Sequence, residues 1–549
     1  MSLSQAYAKL QAGDAAGAEA MLNALLASDA RNTDALHMRA VARHQRGDLN
    51  GALADLDTIL EFPPDHADTR LNRGNILSQL KRFEDALRDY ERASALAPDD
   101  IEVWRNRAAA ERALGREEQA IESYTAILRV DSRHAGALSD RAASLGRLGR
   151  HEEALADLDR AVVLAPDNAD AHGNRGKALL ELERYDEAAA AFEWALYNAP
   201  KSGGHWNNYA VALGALGRDA EAFTAFDRAA AAPVRDFDGG HPLYNKGLMH
   251  LARGNYAEGF ALYARRVELG VVAMPPGARA VRAWDGAGLD GMLRIWSEQG
   301  VGDQLLFSRL LPLALQRAPN IVVDCDPRLA PVLRRAHPEV EVVAPNASFD
   351  RAAAQIAMGD LPLALGVSPA DVAALPPRLR ADAAKTAAFR ARYETLAQGK
   401  PIIGVAWASP RARHARLKGA GLEHWGALLT QPYFFVSLQY DRGDAPASVY
   451  VDEAVDQMRS MEDFAAQVAA LDAIVSVSNT TVHVAGALGK PVFVLAPPAR
   501  GLHWYWGLKG DRTPWYPSVR VVRRDVRTPW SVQVAEAAAL LGDMLAHAG

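Results

Sequence analysis

Residues 67–100 read ADTRLNRGNILSQLKRFEDALRDYERASALAPDD, and this frame recurs every 34 residues without drift. Units open at Thr33, Ala67, Ile101, Ala135, Ala169 and Gly203. The eighth position is always small: Ala40, Gly74, Ala108, Ala142, Gly176 and Ala210. The twentieth is always alanine: Ala52, Ala86, Ala120, Ala154, Ala188 and Ala222. The twenty-fourth is large: Leu56, Tyr90, Tyr124, Leu158, Phe192 and Phe226. Small residues let two antiparallel helices approach, and the large one fills the space between neighbouring pairs. Most units close on proline (Pro64, Pro98, Pro166, Pro200), which cannot continue a helix. An imperfect unit precedes the array, with Ala6, Ala18 and Leu22 in register. Another follows a three-residue slip, with Gly247, Gly259 and Tyr263 in register. The insertion falls in 234–240, where Asp and Gly cluster as in a loop. About eight helix pairs are predicted over residues 1–272.

The period and pattern resemble the tetratricopeptide (TPR) repeat family, an α-superhelix. The sixth position carries a second pattern: Asn72, Asn106, Asp140, Asn174, Asn208 and, in the shifted unit, Asn245. A primary amide donates and accepts at once, so such a row can hold an extended peptide without reading its side chains. The row resembles the asparagine ladder of eukaryotic O-GlcNAc transferases. The other reading is that each amide bonds across to the neighbouring repeat. The seventh position is basic in five units (Arg39, Arg73, Arg107, Arg141, Arg175), read as partners for nearby carboxylates. The D-x-D pairs Asp55/Asp57 and Asp157/Asp159 fall in second helices and are read as solvated faces.

The chain has 549 residues, enough for two to four domains, with 49% hydrophobic and 23% charged residues. A net charge of -6 offers no basic footprint for nucleic acid. A lone cysteine, Cys325, builds neither a disulfide framework nor a Cys-based zinc site, which fits a reducing compartment. The first ten residues lack a basic start followed by an apolar run, and no apolar stretch approaches the roughly 18 residues of a membrane span. The expectation is a cytoplasmic protein with no membrane span.

Residues 273–292 are rich in Pro and Gly and read as a linker. Beyond them, short apolar runs alternate with helical stretches, the rhythm of parallel sheets. Strands are predicted at 293–297, 321–324, 340–343, 402–407, 434–438, 474–478 and 492–495. Helices are predicted at 305–316, 328–336, 482–488 and 532–546. Two Rossmann-like halves, 293–385 and 386–549, suggest a GT-B domain, so the fold class expected is α + α/β. Ligands of such sheets bind at the carboxyl ends of strands. Three loops there carry polar chemistry. Glu298-Gln299-Gly300-Val301-Gly302-Asp303 opens a helix, whose N-terminus favours anions; its plain reading is a tight turn capped by Asp303. Trp407-Ala408-Ser409-Pro410 leads into the basic run Arg411, Arg413, His414, Arg416 and Lys418, which could neutralise a leaving phosphate. Ser476 to His483 ends a strand and opens a helix, offering N–H groups and hydroxyls to a phosphate, or capping that helix. Asp324-Cys325-Asp326 imitates a metal motif, but Asp326 before Pro327 reads as a helix cap, and no metal is expected. Trp504, Trp506 and Trp515 are read as either a stacking platform or core.

Trp284-Asp285-Gly286, Glu298 to Asp303, VSNTTVHVAGALGKP at 477–491 and Pro514-Trp515-Tyr516-Pro517 resemble the TPR-linked, heptosyltransferase-like glycosyltransferases of proteobacteria, which include flagellin glycosyltransferases. The resemblance implies a metal-independent, inverting GT-B enzyme with no cofactor beyond its nucleotide-sugar. It places the general base for the acceptor on Asp303. It places donor binding on Lys418 (seven residues before Trp425), Asn479, Thr480, Thr481 and His483, although His483 also reads as a buried, satisfied histidine; Trp407 and Ser409, in the loop before the basic run, are read as donor-binding with them. Relatives often carry Asp where this chain has Asn479, so donor identity does not carry over from ADP-heptose enzymes. A CMP-linked nonulosonic acid is the donor type of flagellin modification. The implied reaction moves a sugar to a Ser or Thr hydroxyl of a protein in the TPR groove, with flagellin the acceptor the resemblance points to. The alternatives are a heptosyltransferase-like enzyme with a non-protein glycan acceptor, and a TPR scaffold with a degenerate, non-catalytic GT-B domain.

Overall fold

The computed structural model describes residues 2–233, 237, 240–345, 347–409, 419–440, 445–498, 503–525 and 528–548. It divides into two compact units, Met1–Lys201 and Ser202–Gly549.

The first unit is a TPR superhelix of antiparallel helix pairs. First helices begin at Leu3, Thr33, Ala67, Ile101, Ala135 and Ala169, and their partners at Ala15, Leu49, Phe83, Glu117, His151 and Tyr185. Polar residues just before several first helices cap them: Asn32, Asp100 and Asn168 accept from the N–H groups of Ala35, Glu102 and Ala171. Within a pair, the small eighth residue meets the large twenty-fourth one. A Cβ on Gly74 would lie 2.6 Å from the Tyr90 ring, and one on Gly176 2.7 Å from Phe192. Gly176→Leu is expected to destabilise this unit by about 1–3 kcal/mol despite leucine's better helix propensity. The measurement is chemical denaturation followed by circular dichroism. Adding Phe192→Ala should return part of the loss.

The arginines of the seventh position are paired. Arg39 and Arg141 each grip one second-helix carboxylate, Asp55 and Asp157, with the Arg141 bonds both 2.7 Å. Asp55 and Asp157 are buried, so reading both members of the D-x-D pairs as solvated needs correction. Their exposed partners Asp57 and Asp159 instead bind the next repeat, through Arg73 at 2.8 Å and Arg175 at 2.6 Å. In the unit opening at Ile101 the second helix offers Ser123 at this position. Glu111 supplies the missing carboxylate, bonding Arg107 at 2.9 Å and Ser123 at 2.7 Å.

The second unit opens with two further helix pairs, Gly203–Ala215 with Asp219–Ala231, and Pro242–Ala252 with Tyr256–Tyr263. Two parallel sheets follow. β1 (Met292–Trp296), β2 (Asn320–Asp324), β3 (Glu341–Val343) and β4 (Ala352–Ala357) form one, in the order β3-β2-β1-β4. β5 (Ile402–Ala406), β6 (Phe434–Ser437), β7 (Val449–Tyr450), β8 (Ala473–Val477), β9 (Val492–Ala496) and β10 (Val519–Arg523) form the other, in the order β10-β9-β8-β5-β6-β7. Both orders reverse direction beside the first strand, so each sheet has a switch point, at β1/β4 and at β5/β8. Crevices at such points are where open parallel sheets bind ligands.

β4, β7 and β10 were not predicted. The predicted helix 305–316 is broken into Val301–Ser308 and Leu311–Leu315, where Pro312 removes a backbone donor. The helix predicted at 328–336 starts at Ala330. Asp326 caps the turn before it, accepting from the Arg328 N–H at 3.0 Å. The segment 273–292 is packed rather than free. Trp284 is buried, and its backbone N–H donates to Gln355 in β4 at 2.8 Å. Gly286 has φ +89°, and a Cβ there would lie 1.8 Å from the Ala364 carbonyl oxygen. The Trp-Asp-Gly motif is therefore a turn that ties this segment to the first sheet.

The core of this unit is continuous from the helix pairs into the sheets. Tyr256, Phe260 and Tyr263 share it with Phe307, Trp504 and Trp515. The Trp515 indole donates to the Tyr256 hydroxyl at 2.8 Å. This shared core joins the last helix pair to the sheets, while Ala210, Leu213, Ala222 and Phe226 of the pair before it pack with Met249.

Candidate functional site

The loop after β1 is held by a buried charge cluster. Arg266, in the turn closing the last helix pair, is fully buried. It donates to Glu298 from Nε at 2.9 Å and again from Nη2, to Asp360 after β4 from Nη1, and to the Tyr263 carbonyl at 3.0 Å. Its guanidinium lies 4.5 Å from the centre of the Tyr263 ring. Glu298 also accepts from the Gly359 N–H at 3.1 Å. Burial pushes the carboxyls of Glu298 and Asp360 above their ordinary range, with Arg266 opposing it. Burial also works against the Arg266 charge, but the two carboxylates outweigh it and hold its pKa up. One cation thus ties together the end of the repeats and both strands of the first switch point.

This arrangement presents Asp303 to a cavity of about 410 Å³. Asp303 stands in the first turn of the helix Val301–Ser308 and is half-buried. The polar part of the lining is Tyr244, Asn245, Arg253, Tyr263, Gln299, Asp303, His503 and Tyr505. The apolar part includes Val211, Phe226, Leu248, Met249 and Trp504. Burial pushes the Tyr244 hydroxyl up to about 12, and the Asp303 charge adds to the effect. Two residues singled out for different roles, Asp303 as base and Asn245 as part of the acceptor row, therefore face one space.

The second glycine of Gly-Val-Gly serves a protein neighbour. A Cβ on Gly302 would lie 2.7 Å from the His483 ring, so glycine lets the helix Val301–Ser308 settle against the helix Thr480–Leu488. His483 is buried, with Nδ1 3.1 Å from the Tyr516 hydroxyl and Nε2 3.1 Å from the Tyr505 hydroxyl. Burial pushes its pKa down to about 3, so the ring is neutral. Both nitrogens are occupied, which removes His483 from the donor-binding residues and makes it the wall behind Asp303. Trp506 and Trp515 are fully buried and belong to the core, and Trp504 shows only its edge to the cavity.

The other described residues expected to bind the donor lie at the second switch point, where β5 and β8 run side by side, Ala406 opposite Ser476. Asn479 caps the helix after β8, accepting from the Thr481 N–H at 3.0 Å and the Ser476 hydroxyl at 3.2 Å. Thr480 and Ser409 are half-exposed, while Thr481 is buried. Trp407 is buried in the core beneath this sheet with Trp425, so its ring is not a donor contact. Gln439, which the sequence gave no reason to select, pins the loop by accepting from the N–H groups of Trp407 at 3.2 Å and Ala408 at 3.0 Å. Lys418 and the basic run 411–418 lie outside the described residues. Among the described residues, no three His, Cys, Asp or Glu side chains are grouped so as to hold a metal.

Members of the asparagine row bond across repeats. Asn106 donates to Asn75 at 3.0 Å, Asn245 to Asn207 at 3.1 Å, and Asn72 meets His37 at 3.3 Å. Asp140 pairs with Arg112 at 3.5 Å. Asn174 is half-buried and Asn208 buried. A primary amide has two donors and two acceptor sites, so one cross-repeat bond does not exhaust it.

The repeats define a TPR-containing protein. Tetratricopeptide-repeat profiles match residues 3–67, 67–100, 139–202 and 174–236. The chain is 30% identical over 333 residues to Protein FlbA of Caulobacter vibrioides, covering 54% of each. It thus spans about half the length of that relative. Among solved structures it is similar to the C-terminal part of a TPR repeat-containing protein from Cytophaga hutchinsonii (15% identity, TM-score 0.37, 42% of this chain and 95% of that one). It is also similar to MamA (21%, TM-score 0.29, 30% and 91%). No helix among the described residues is long and apolar enough to cross a membrane.

Proposed function

We propose that the chain is a GT-B glycosyltransferase that moves a sugar from a nucleotide-sugar to a Ser or Thr hydroxyl of a protein held by its repeats. The observation that carries this reading is the shared cavity: Asp303, at the first switch point, and Asn245, at the end of the acceptor row, line it together. The second switch point supports the donor side, because Thr480 is half-exposed in the first turn of its helix and offers a hydroxyl to a phosphate at the end of the helix that favours anions. In this scheme a carboxylate oxygen of Asp303 takes the acceptor proton as the hydroxyl oxygen bonds to the anomeric carbon. The bond from that carbon to the phosphate oxygen breaks, and its electron pair leaves on the nucleotide. Flagellin is the acceptor and a CMP-linked nonulosonic acid the donor favoured by the sequence resemblance.

The test is calorimetric titration of the full chain with nucleotides and nucleotide-sugars, followed by intact-mass analysis of flagellin incubated with the donors that bind. Saturable binding of at least one donor class and a sugar-sized mass gain on flagellin are expected. Absence of binding across CMP-, UDP-, GDP- and ADP-linked sugars would remove the enzymatic reading.

A further inference from the structure

The His483 chain of hydrogen bonds has a direction, and that direction bears on the cavity. Tyr516 is fully buried, and among the described residues its hydroxyl meets only Nδ1 of His483. If that nitrogen carried the imidazole proton, the Tyr516 O–H would be left buried without an acceptor, a costly state. Tyr516 therefore donates to Nδ1. The neutral ring must then carry its proton on Nε2, which donates to the Tyr505 oxygen. Tyr505 thus has its oxygen engaged from behind, while its own O–H meets no acceptor among the described residues and lies at the cavity that Asp303 also lines. Trp506, 5.7 Å from the His483 ring, and Gly302 close the remaining sides of the imidazole.

We infer that Tyr505 and Asp303 together form a recognition site for an alcohol, with Tyr505 donating to the hydroxyl oxygen and Asp303 accepting the hydroxyl proton. An alcohol fits because it both accepts and donates. His483 and Tyr516 act through Tyr505 as positioning residues. This inference rests on the acceptor role proposed above for Asp303 and adds Tyr505 to it as the residue that orients the acceptor hydroxyl.

Two measurements on the full chain test it. In 15N-histidine-labelled protein, imidazole spectra should show one neutral histidine fixed as the Nε2–H tautomer, and Tyr516→Phe should relax that preference. By saturation-transfer NMR, N-acetylthreoninamide should bind more tightly than its hydroxyl-free analogue, the amide of N-acetyl-2-aminobutyric acid. Tyr505→Phe should weaken the alcohol about tenfold, roughly 1.4 kcal/mol, and leave the hydroxyl-free analogue unchanged. An Nδ1–H tautomer, equal binding of the two probes, or unchanged alcohol binding by Tyr505→Phe would overturn the assignment. So would failure of the wild-type protein to bind the alcohol. None of these results touches donor titration, so the glycosyltransferase reading stands or falls separately.

Discussion

Replacing Arg266 by methionine should destabilise the Ser202–Gly549 unit by about 3–5 kcal/mol, because it strands two carboxylates that a single buried cation now compensates. Glu298 is almost wholly enclosed, and water cannot take over from the guanidinium. The loss should depend on pH in a defined sense. Burial already raises the folded-state pKa of Glu298 and Asp360 above their unfolded values. Without Arg266 that rise grows, so the folded variant binds protons more tightly than the unfolded chain. The variant's stability deficit is then greatest at neutral and higher pH and shrinks as pH falls through the raised carboxyl values. Scanning calorimetry of the full chain at pH 7.5 and 5.5 reads the effect, and hydrogen exchange in β1 and β4 assigns the transition. The triple variant Arg266→Met, Glu298→Gln, Asp360→Asn should recover most of the loss, since it removes the stranded charges. A deficit independent of pH, or no recovery in the triple variant, would mean that Arg266 acts through packing alone.

That cluster also shows where the sequence stopped being informative. The 34-residue period marked the starts of the helices at Thr33, Ala67, Ile101, Ala135, Ala169 and Gly203, because steric demands at the eighth, twentieth and twenty-fourth positions recur locally. The loops bearing Asp303, Ser409 and Asn479 were legible too, since each follows an apolar run that becomes β1, β5 or β8. Arg266, Glu298 and Asp360 carry no spacing signal: three separate elements bring them together, and only the folded chain shows that one cation serves both acids. β4 was missed because its residues, Ala352 to Ala357, are mostly alanine and lack the β-branched signature of a strand. His483 was open to two readings because the hydroxyls that satisfy it, Tyr505 and Tyr516, lie on segments whose aromatic residues drew attention for their indoles.

Replacing Asp303 by asparagine should lower glycosyl transfer by about 10²–10⁴-fold, the range expected for loss of a positioned proton acceptor. The amide keeps the shape of the carboxylate, so the cavity shared with Asn245 should persist and donor affinity should hold within about twofold. The expected signature is thus a fall in kcat with little change in donor binding. The geometry supplies a second variant that separates chemistry from position. Gly302→Ala keeps the carboxylate but inserts a methyl group 2.7 Å from the His483 ring, which must push the start of the helix Val301–Ser308, and Asp303 with it, away from its neighbour. Since misplacing a reacting group by about 1 Å can cost roughly 100-fold, Gly302→Ala should also lose kcat, though less than Asp303→Asn does. In the double variant the two losses should not multiply, because moving a group that no longer accepts a proton has no further effect on the chemical step. Full transfer by Asp303→Asn would exclude this side chain as the base. Multiplying losses in the double variant would show that Gly302 contributes to transfer by some route other than placing Asp303.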